Sequence, residues 1–481
     1  MYPSYRTRIP GPSGAAALPG RDQASILNPS PLLWSVPMVV LAALIFNHFG
    51  RPFEFILSGY KIPFTIGLIG ILAVLVTGAM RGLWSSPGRP LFGLVVWMLI
   101  STPLSTWKGG STQYVVYLVG LEVVLFLLAA SAPRSFRAIR LVCYLTLGAA
   151  SVYLLIATRA KPDSRFDLRG TFGNADDVAL MAGFILPFLI LLVQQIKNPV
   201  GQALCLIVGG GWLVRVVGMT GTRTGMIAMA CLLAVYFLYG SLVQRISVVM
   251  FSFTGFIALL ILLPASTLQR FETTFQSFGS EAVVEEHAQD EAYASVLERR
   301  DLMRDAIKMT LQHPIFGVGP GEFMDYRYQF LDPGAPGGHK RYFPSHNTYL
   351  QVSSEDGMVG LVFYLGFLVA TFLSLKRSMK LNRPGSHPYW EFGRQLSITL
   401  QAALIYFMVC AAAMTCERHP HQYLVAGLAV ALERISSLLS NSKPAKTAVS
   451  IPAKPEPKPR PELVGAAPAA PRRLSALRRP R

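Results

Sequence analysis

The sequence predicts an all-α integral membrane protein of about twelve transmembrane helices, on three observations. Hydrophobic residues make up 52% of the 481 and charged residues only 15%. The apolar residues gather into blocks close to the ~20 that a helix needs to cross about 30 Å of hydrocarbon. No strand-like alternation competes with them, and in lipid a helix satisfies its own backbone groups.

Residues 1–31 are rich in Pro and Gly and poor in apolar side chains, which predicts a disordered cytoplasmic tail. The first apolar block lacks a cationic stretch before it and a small-residue cleavage site after it, so no cleaved signal peptide is expected. Nine spans are read in 32–264, at 32–49, 62–80, 90–105, 113–131, 138–157, 175–193, 200–218, 224–240 and 246–264. A polar segment of about 80 residues follows, 265–345, and is expected as one large loop before the tenth helix. Three more spans fill 346–438, at 347–375, 395–414 and 420–438. The end, 441–481, carries ten Lys/Arg against Glu456 and Glu462 amid Pro and Ala, and cannot bury a core.

Lys and Arg in short loops set the orientation. With the N-terminus inside, inward loops hold Arg81, Arg89, Arg134, Arg137, Lys197, Arg245 and the run Lys376, Arg377, Lys380, Arg383, Arg394. Both tails then lie in the cytoplasm, and 265–345 lies outside it. The outward segments 158–174 and 265–345 break the charge bias, which suggests that their cations have work there.

The net charge of +18 is concentrated in the tail and the inward loops; the tail's share reads first as a positive-inside anchor for the last helix, and otherwise as attraction to anionic membrane lipid or a partner. No aromatic or recognition-helix pattern accompanies it, so no nucleic acid is expected. Cys143, Cys205, Cys231, Cys410 and Cys416 form neither a disulfide framework nor a Cys-x-x-Cys site. Walker A, His-Glu-x-x-His and Asp-x-Asp signatures are missing, so neither a cofactor nor a metal site is predicted.

The most informative stretch is RYFPSHNTYLQVSSEDGMVGL, 341–361, where His346 stands at the junction of loop and membrane helix. A histidine there can accept a proton near neutral pH, or it can simply cap and pack the helix. With Ser345 as candidate N-cap, the helix starting at His346 would carry Tyr349, Leu350, Ser353, Gly357 and Gly360 on one face. Glu355 and Asp356 should not face lipid, so the spanning part is expected to begin near Gly357. Upstream, 291–312 can form an amphipathic helix, with Ala294, Leu297, Leu302, Ala306, Met309 and Thr310 on its apolar side; it can lie on the bilayer or under a loop. Pro314, Gly317, Gly319 and Gly321 then turn the chain.

Together these segments resemble one family. HNTYLQVSSEDGMVGL, with ten residues between His346 and Gly357, resembles the His-x10-Gly element of the O-antigen ligase and polymerase family. ERRDLMRDAIKMTLQHPIFGVGPGEF (298–323) is similar to its loop helix and Pro-x-x-Gly-x-Gly turn. RGTFGNADDVAL (169–180) and TGTRTGMIA (220–228) are similar to its two earlier elements. The resemblance covers about 165–375 and implies a GT-C-like bundle that moves a glycan from undecaprenyl diphosphate to a glycan or lipid acceptor outside the cytoplasmic membrane. It implies that His346 activates the acceptor hydroxyl. Arg223 and Arg299 would hold the donor diphosphate in a metal-independent, inverting transfer. Arg300 leaves the register of the Arg-x3-Leu-like element, here Arg299 and Met303, open by one. Arg165, Arg169 and Arg215 are weaker substrate-binding candidates, and Ala175 and Asp176 depart from the family's Gly-Asn-Pro-Asn pattern. A polymerase joining lipid-linked repeat units uses the same groups. A secondary transporter fits the hydropathy but explains neither the basic outer loop nor His346.

Overall fold

The computed structural model describes residues 35–51, 62–159, 174–240, 291–331 and 343–441, with 245, 248, 249 and 252 between them. The expected tails 1–31 and 442–481, most of the ninth span 246–264, the first part of the loop, Arg165 and Arg169 lie outside the described residues.

Among the described residues the chain is helical throughout, without a strand. The helices are α1 Val36–Gly50, α2 Ile62–Thr77, α3 Gly88–Leu104, α4 Lys108–Ser131, α5 Phe136–Arg159, α6 Ala175–Val193, α7 Pro199–Thr220, α8 Arg223–Tyr239, α9 Glu291–Gln312, α10 Thr348–Leu381, α11 Trp390–Ala411 and α12 Pro420–Asn441. Seven of them, α4 to α7 and α10 to α12, are long and apolar enough to cross a membrane. α1, α2, α3 and α8 are apolar but shorter. The polar helix α9 belongs to the loop.

One apolar core joins α6, α10, α11, α12 and the second half of α4. Small residues let the backbones approach, as membrane packing requires. A Cβ on Gly427 of α12 would lie 2.5 Å from the Phe126 carbonyl oxygen of α4. Gly183 of α6 makes room for the Tyr406 ring, whose hydroxyl donates to the Ala179 carbonyl at 2.8 Å.

Separate polar contacts mark the two ends of the bundle. At one end Arg299 meets Asp176 at the start of α6, and Thr106 donates its backbone N–H and its hydroxyl to the Val318 carbonyl, each at 3.0 Å. Thr348 there donates to the Met414 carbonyl at 2.7 Å. At the other, Arg140 reaches Gln195 at 2.8 Å, Arg377 meets Glu433 at 2.6 Å and Asn382 bonds Ser436 at 2.8 Å.

α10 is two helices joined at Gly357, whose φ of 69° and ψ of −176° break the ladder. The break frees the carbonyls of Ser354 and Glu355 and the amide of Met358, which must find other partners. The turn after α9 supplies them: Val318 and Gly319 donate to those carbonyls at 2.9 Å each, and Met358 donates to the Pro314 carbonyl at 2.8 Å. The segment beyond the break, 358–381, is roughly 36 Å long at 1.5 Å per residue, enough to cross the hydrocarbon alone. Glu355 and Asp356 are buried within protein.

Candidate functional site

His346 does not begin the helix. Asn347, not Ser345, is the N-cap, its side-chain oxygen accepting from the Leu350 amide at 3.1 Å, and α10 starts at Thr348. The helix therefore excludes His346, and the break at Gly357 removes the single continuous face expected from it. Ser345 instead braces the loop: its hydroxyl donates to the Asn347 carbonyl at 2.8 Å, and its amide donates to Gln351 at 3.2 Å. Asn347 Nδ2 donates to the Ala412 carbonyl at 2.9 Å. Between these two anchors His346 is held at φ 53°, a left-handed conformation that a non-glycine side chain adopts only when its surroundings impose it.

The loop helix α9 stands against the first turns of α10. Of the apolar side read from the sequence, Leu302, Ala306 and Met309 are buried and Leu297 and Thr310 half-buried, while the Ala294 side chain lies outside the described residues. That side is covered by Val318, Phe323, Phe343 and Leu350 of the same loop and of α10. Thr310 and Ser353 share a hydroxyl hydrogen bond of 2.9 Å, and Arg327 ties to Asp305 at 2.7 Å. So seated, α9 points Arg299 toward the start of α6, where Nη2 lies 2.9 Å from Asp176 Oδ2.

Arg299, Asp176 and His346 act on one another. Burial first, and then the Arg299 cation, lowers the His346 ring to about 4, while the Asp176 carboxylate pulls it upward. The ring is therefore neutral at physiological pH, with a nitrogen lone pair available. The Arg299 side chain is 36% exposed, so its guanidinium is only partly covered by Asp176.

Arg223 opens α8 directly after the turn at Thr220–Thr222. Two residues later, a Cβ on Gly225 would lie 3.1 Å from the Ala179 Cβ, one turn into α6 from Asp176. Arg223 and Arg299 are thus brought to the same end of α6 although 76 residues separate them. Arg300 is half-buried on α9 beside Arg299, and it is Arg299 that the structure pairs with Asp176. Arg215 stands exposed on α7 beside the buried Leu213, Val216 and Val217.

The glycines are structural. Cβ atoms on Gly317, Gly319 and Gly357 would fall 2.2, 2.0 and 2.0 Å from the Glu355 carbonyl, the Ser105 hydroxyl and the Ile315 carbonyl, and φ is positive at all three. A Cβ on Gly360 would meet that of Asp356 at 2.3 Å.

Three features escape a reading of motifs. Asp176 reads there only as a departure from a pattern, although an acidic pair opening a helix is a visible signal for a helix N-terminus. Glu355 is a latch: its carboxylate accepts from the amides of Gly321 and Phe323 at 3.0 and 3.1 Å and from Gln351 at 2.9 Å. A neighbouring polar group joins Tyr114, whose hydroxyl donates to Glu417, with Arg418 4.5 Å over the Tyr114 ring. Burial raises Glu417, against the Tyr114 hydrogen bond and Arg418, which lower it. Glu322, next to this group, is lifted to about 7 by burial and then by Asp325.

These observations define a multi-pass membrane protein with a braced histidine and an Arg299–Asp176 ion pair at one end of its bundle. Residues 211–365 match the O-Antigen ligase family, and that part of the chain is accordingly assigned to it. The match runs from α7 into α10 and takes in Arg215, Arg223, Arg299, Arg300, His346 and the four turn and packing glycines. It begins after the RGTFGNADDVAL stretch. No curated protein matches the chain.

Proposed function

We propose that this protein is a membrane glycosyltransferase that moves a glycan from undecaprenyl diphosphate to an acceptor hydroxyl outside the cytoplasmic membrane, in the manner of an O-antigen ligase. The observation that carries the reading is a neutral, sterically held His346 under the direct influence of Arg299, inside the segment matched to the ligase family.

A His346 ring nitrogen takes the acceptor hydroxyl proton as the oxygen attacks C1 of the donor sugar. The bond from C1 to the diphosphate oxygen breaks, and attack from the opposite face inverts the anomeric centre. Arg299 and Arg223 hold the charge released on the diphosphate, for which a guanidinium is suited because it stays charged and offers two parallel N–H donors. The same diphosphate offsets the cation that lowers the His346 ring, so donor binding strengthens the base as it is needed. Asp176, repelled by the diphosphate, gives up Arg299 to it. The active site faces outward in this reading, with both tails in the cytoplasm, and Arg165 and Arg169 supply further substrate contacts.

Purified protein supplied with a lipid-diphosphate glycan and an acceptor tests this. Transfer is expected in EDTA, and His346→Ala is expected to lower it by roughly two to four orders of magnitude, while His387→Ala, at the far end of the bundle, retains most of it. Near-normal transfer by the His346 variant would reduce that residue to packing. Deleting the gene is expected to leave long lipid-linked glycan made but unattached; accumulation of single repeat units would replace the ligase by a polymerase.

A further inference from the structure

The end of the bundle opposite His346 carries a feature that glycan transfer does not use. Two adjoining grooves of about 790 and 580 Å³ meet there at Ser85, Val430 and Arg434, between the stretch joining α2 to α3 and the facing ends of α10 and α12. Lys380 and Arg383 line the first, and Arg81 and Arg134 the second. The one carboxylate in the walls, Glu433, is committed to Arg377, which reaches both of its oxygens at 2.6 and 3.2 Å. Arg434 is anchored, donating to the Pro133 carbonyl at 2.8 Å. Among the described residues no carboxylate bridges to Lys380, Arg383, Arg81 or Arg134. Four cations thus face two joined grooves with no counter-charge of their own.

Beside the grooves the helices are apolar and uncovered. Val76, Met80 and Trp84 stand exposed along the α2 side, and Val369 and Leu373 along α10. A ligand here meets cations and serine hydroxyls at its head and exposed apolar helix along its body. The chain's own tail does not suit the grooves, because 442–481 is itself strongly basic.

We infer that these grooves are a binding site for the phosphate headgroup of an anionic phospholipid whose acyl chains lie along the exposed faces of α2 and α10. Basic pockets between membrane helices attract such headgroups, each nearby Lys or Arg being worth a several-fold gain in affinity. Two joined lobes favour a lipid with two phosphates, such as cardiolipin, over one with a single phosphate.

Purified full-length protein in a neutral detergent is titrated with cardiolipin, with phosphatidylglycerol, with phosphatidylcholine and with water-soluble glycerophosphate. Bound lipid is counted by native mass spectrometry, and the thermal unfolding midpoint is followed. Saturable binding of cardiolipin, weaker binding of phosphatidylglycerol and little of phosphatidylcholine is expected. The pair Lys380→Gln and Arg383→Gln should weaken cardiolipin binding roughly thirtyfold. The control pair Lys197→Gln and Arg245→Gln removes the same charge outside the grooves and should leave binding unchanged. Equal loss in both pairs would show a response to net charge rather than a site, and undiminished binding by the first pair would remove the grooves from it. Glycerophosphate binding as tightly as the lipids would make this a free-phosphate site and overturn the lipid assignment.

Discussion

Arg299 Nη2 lies 2.9 Å from Asp176 Oδ2, and both side chains act on the ring of His346. The carboxylate occupies the kind of position on the guanidinium that a phosphate oxygen takes. The arginine is thus held at the start of α6 by an anion that a stronger anion can replace.

Asp176→Asn is expected to lower the donor KM severalfold and to make inorganic diphosphate a better inhibitor, since it removes the competing charge and keeps the side chain's shape. Arg299→Lys keeps a cation but loses the fork, and transfer should fall on the order of a hundredfold. A higher donor KM in Asp176→Asn would mean that Asp176 positions the arginine more than it competes for it.

The pH profile of kcat/KM reports the free enzyme's base. With His346 at about 4, the acid limb should fall there and not near 6.5, leaving activity flat through neutral pH. Arg299 lowers the ring, so Arg299→Gln should move the limb upward; Asp176 raises it, so Asp176→Asn should move it downward. Limbs that stay fixed in both variants would assign the titration to another group.

Gly357→Ala places a Cβ 2.0 Å from the Ile315 carbonyl oxygen at a φ of 69°. The strain alone is worth about 1–3 kcal/mol, and the turn can relieve the clash only by giving up its bonds to Ser354, Glu355 and Met358. A clear drop in the unfolding midpoint of the detergent-solubilised protein is expected, with transfer lost alongside it because the same turn seats α9. Gly385→Ala also sits at positive φ, 78°, but meets nothing within 4 Å, and should cost less.

Reporter fusions at residue 285 and after residue 445 check the orientation. The first should label from outside the cytoplasm and the second from within. Cytoplasmic labelling at 285 would separate the site from an outward-facing acceptor.

Hydropathy by itself located the apolar helices. Eleven of the twelve spans read from the sequence coincide with helices of the described residues, and seven of those helices are long and apolar enough to cross a membrane, because apolar runs of about 20 residues are a local property of the sequence. The amphipathic helix at 291–312 and the glycine turn were legible for the same reason, the first from its 3.6-residue period and the second from glycine's tolerance of positive φ. The motif residues His346, Arg223 and Arg299 could be named, but not their arrangement. Only the tertiary structure decided that Asp176 holds Arg299 across 123 residues of sequence, that Glu355 fastens the turn at Gly321 and Phe323, and that His346 lies outside the helix in a left-handed conformation. The N-cap passed from Ser345 to Asn347 because Ser345 is taken by Gln351 and by the Asn347 carbonyl, and Asn347 is itself anchored to the 412–416 loop. Such choices depend on partners far along the chain, and the free energy that settles them is made only when packing brings those partners within hydrogen-bond distance.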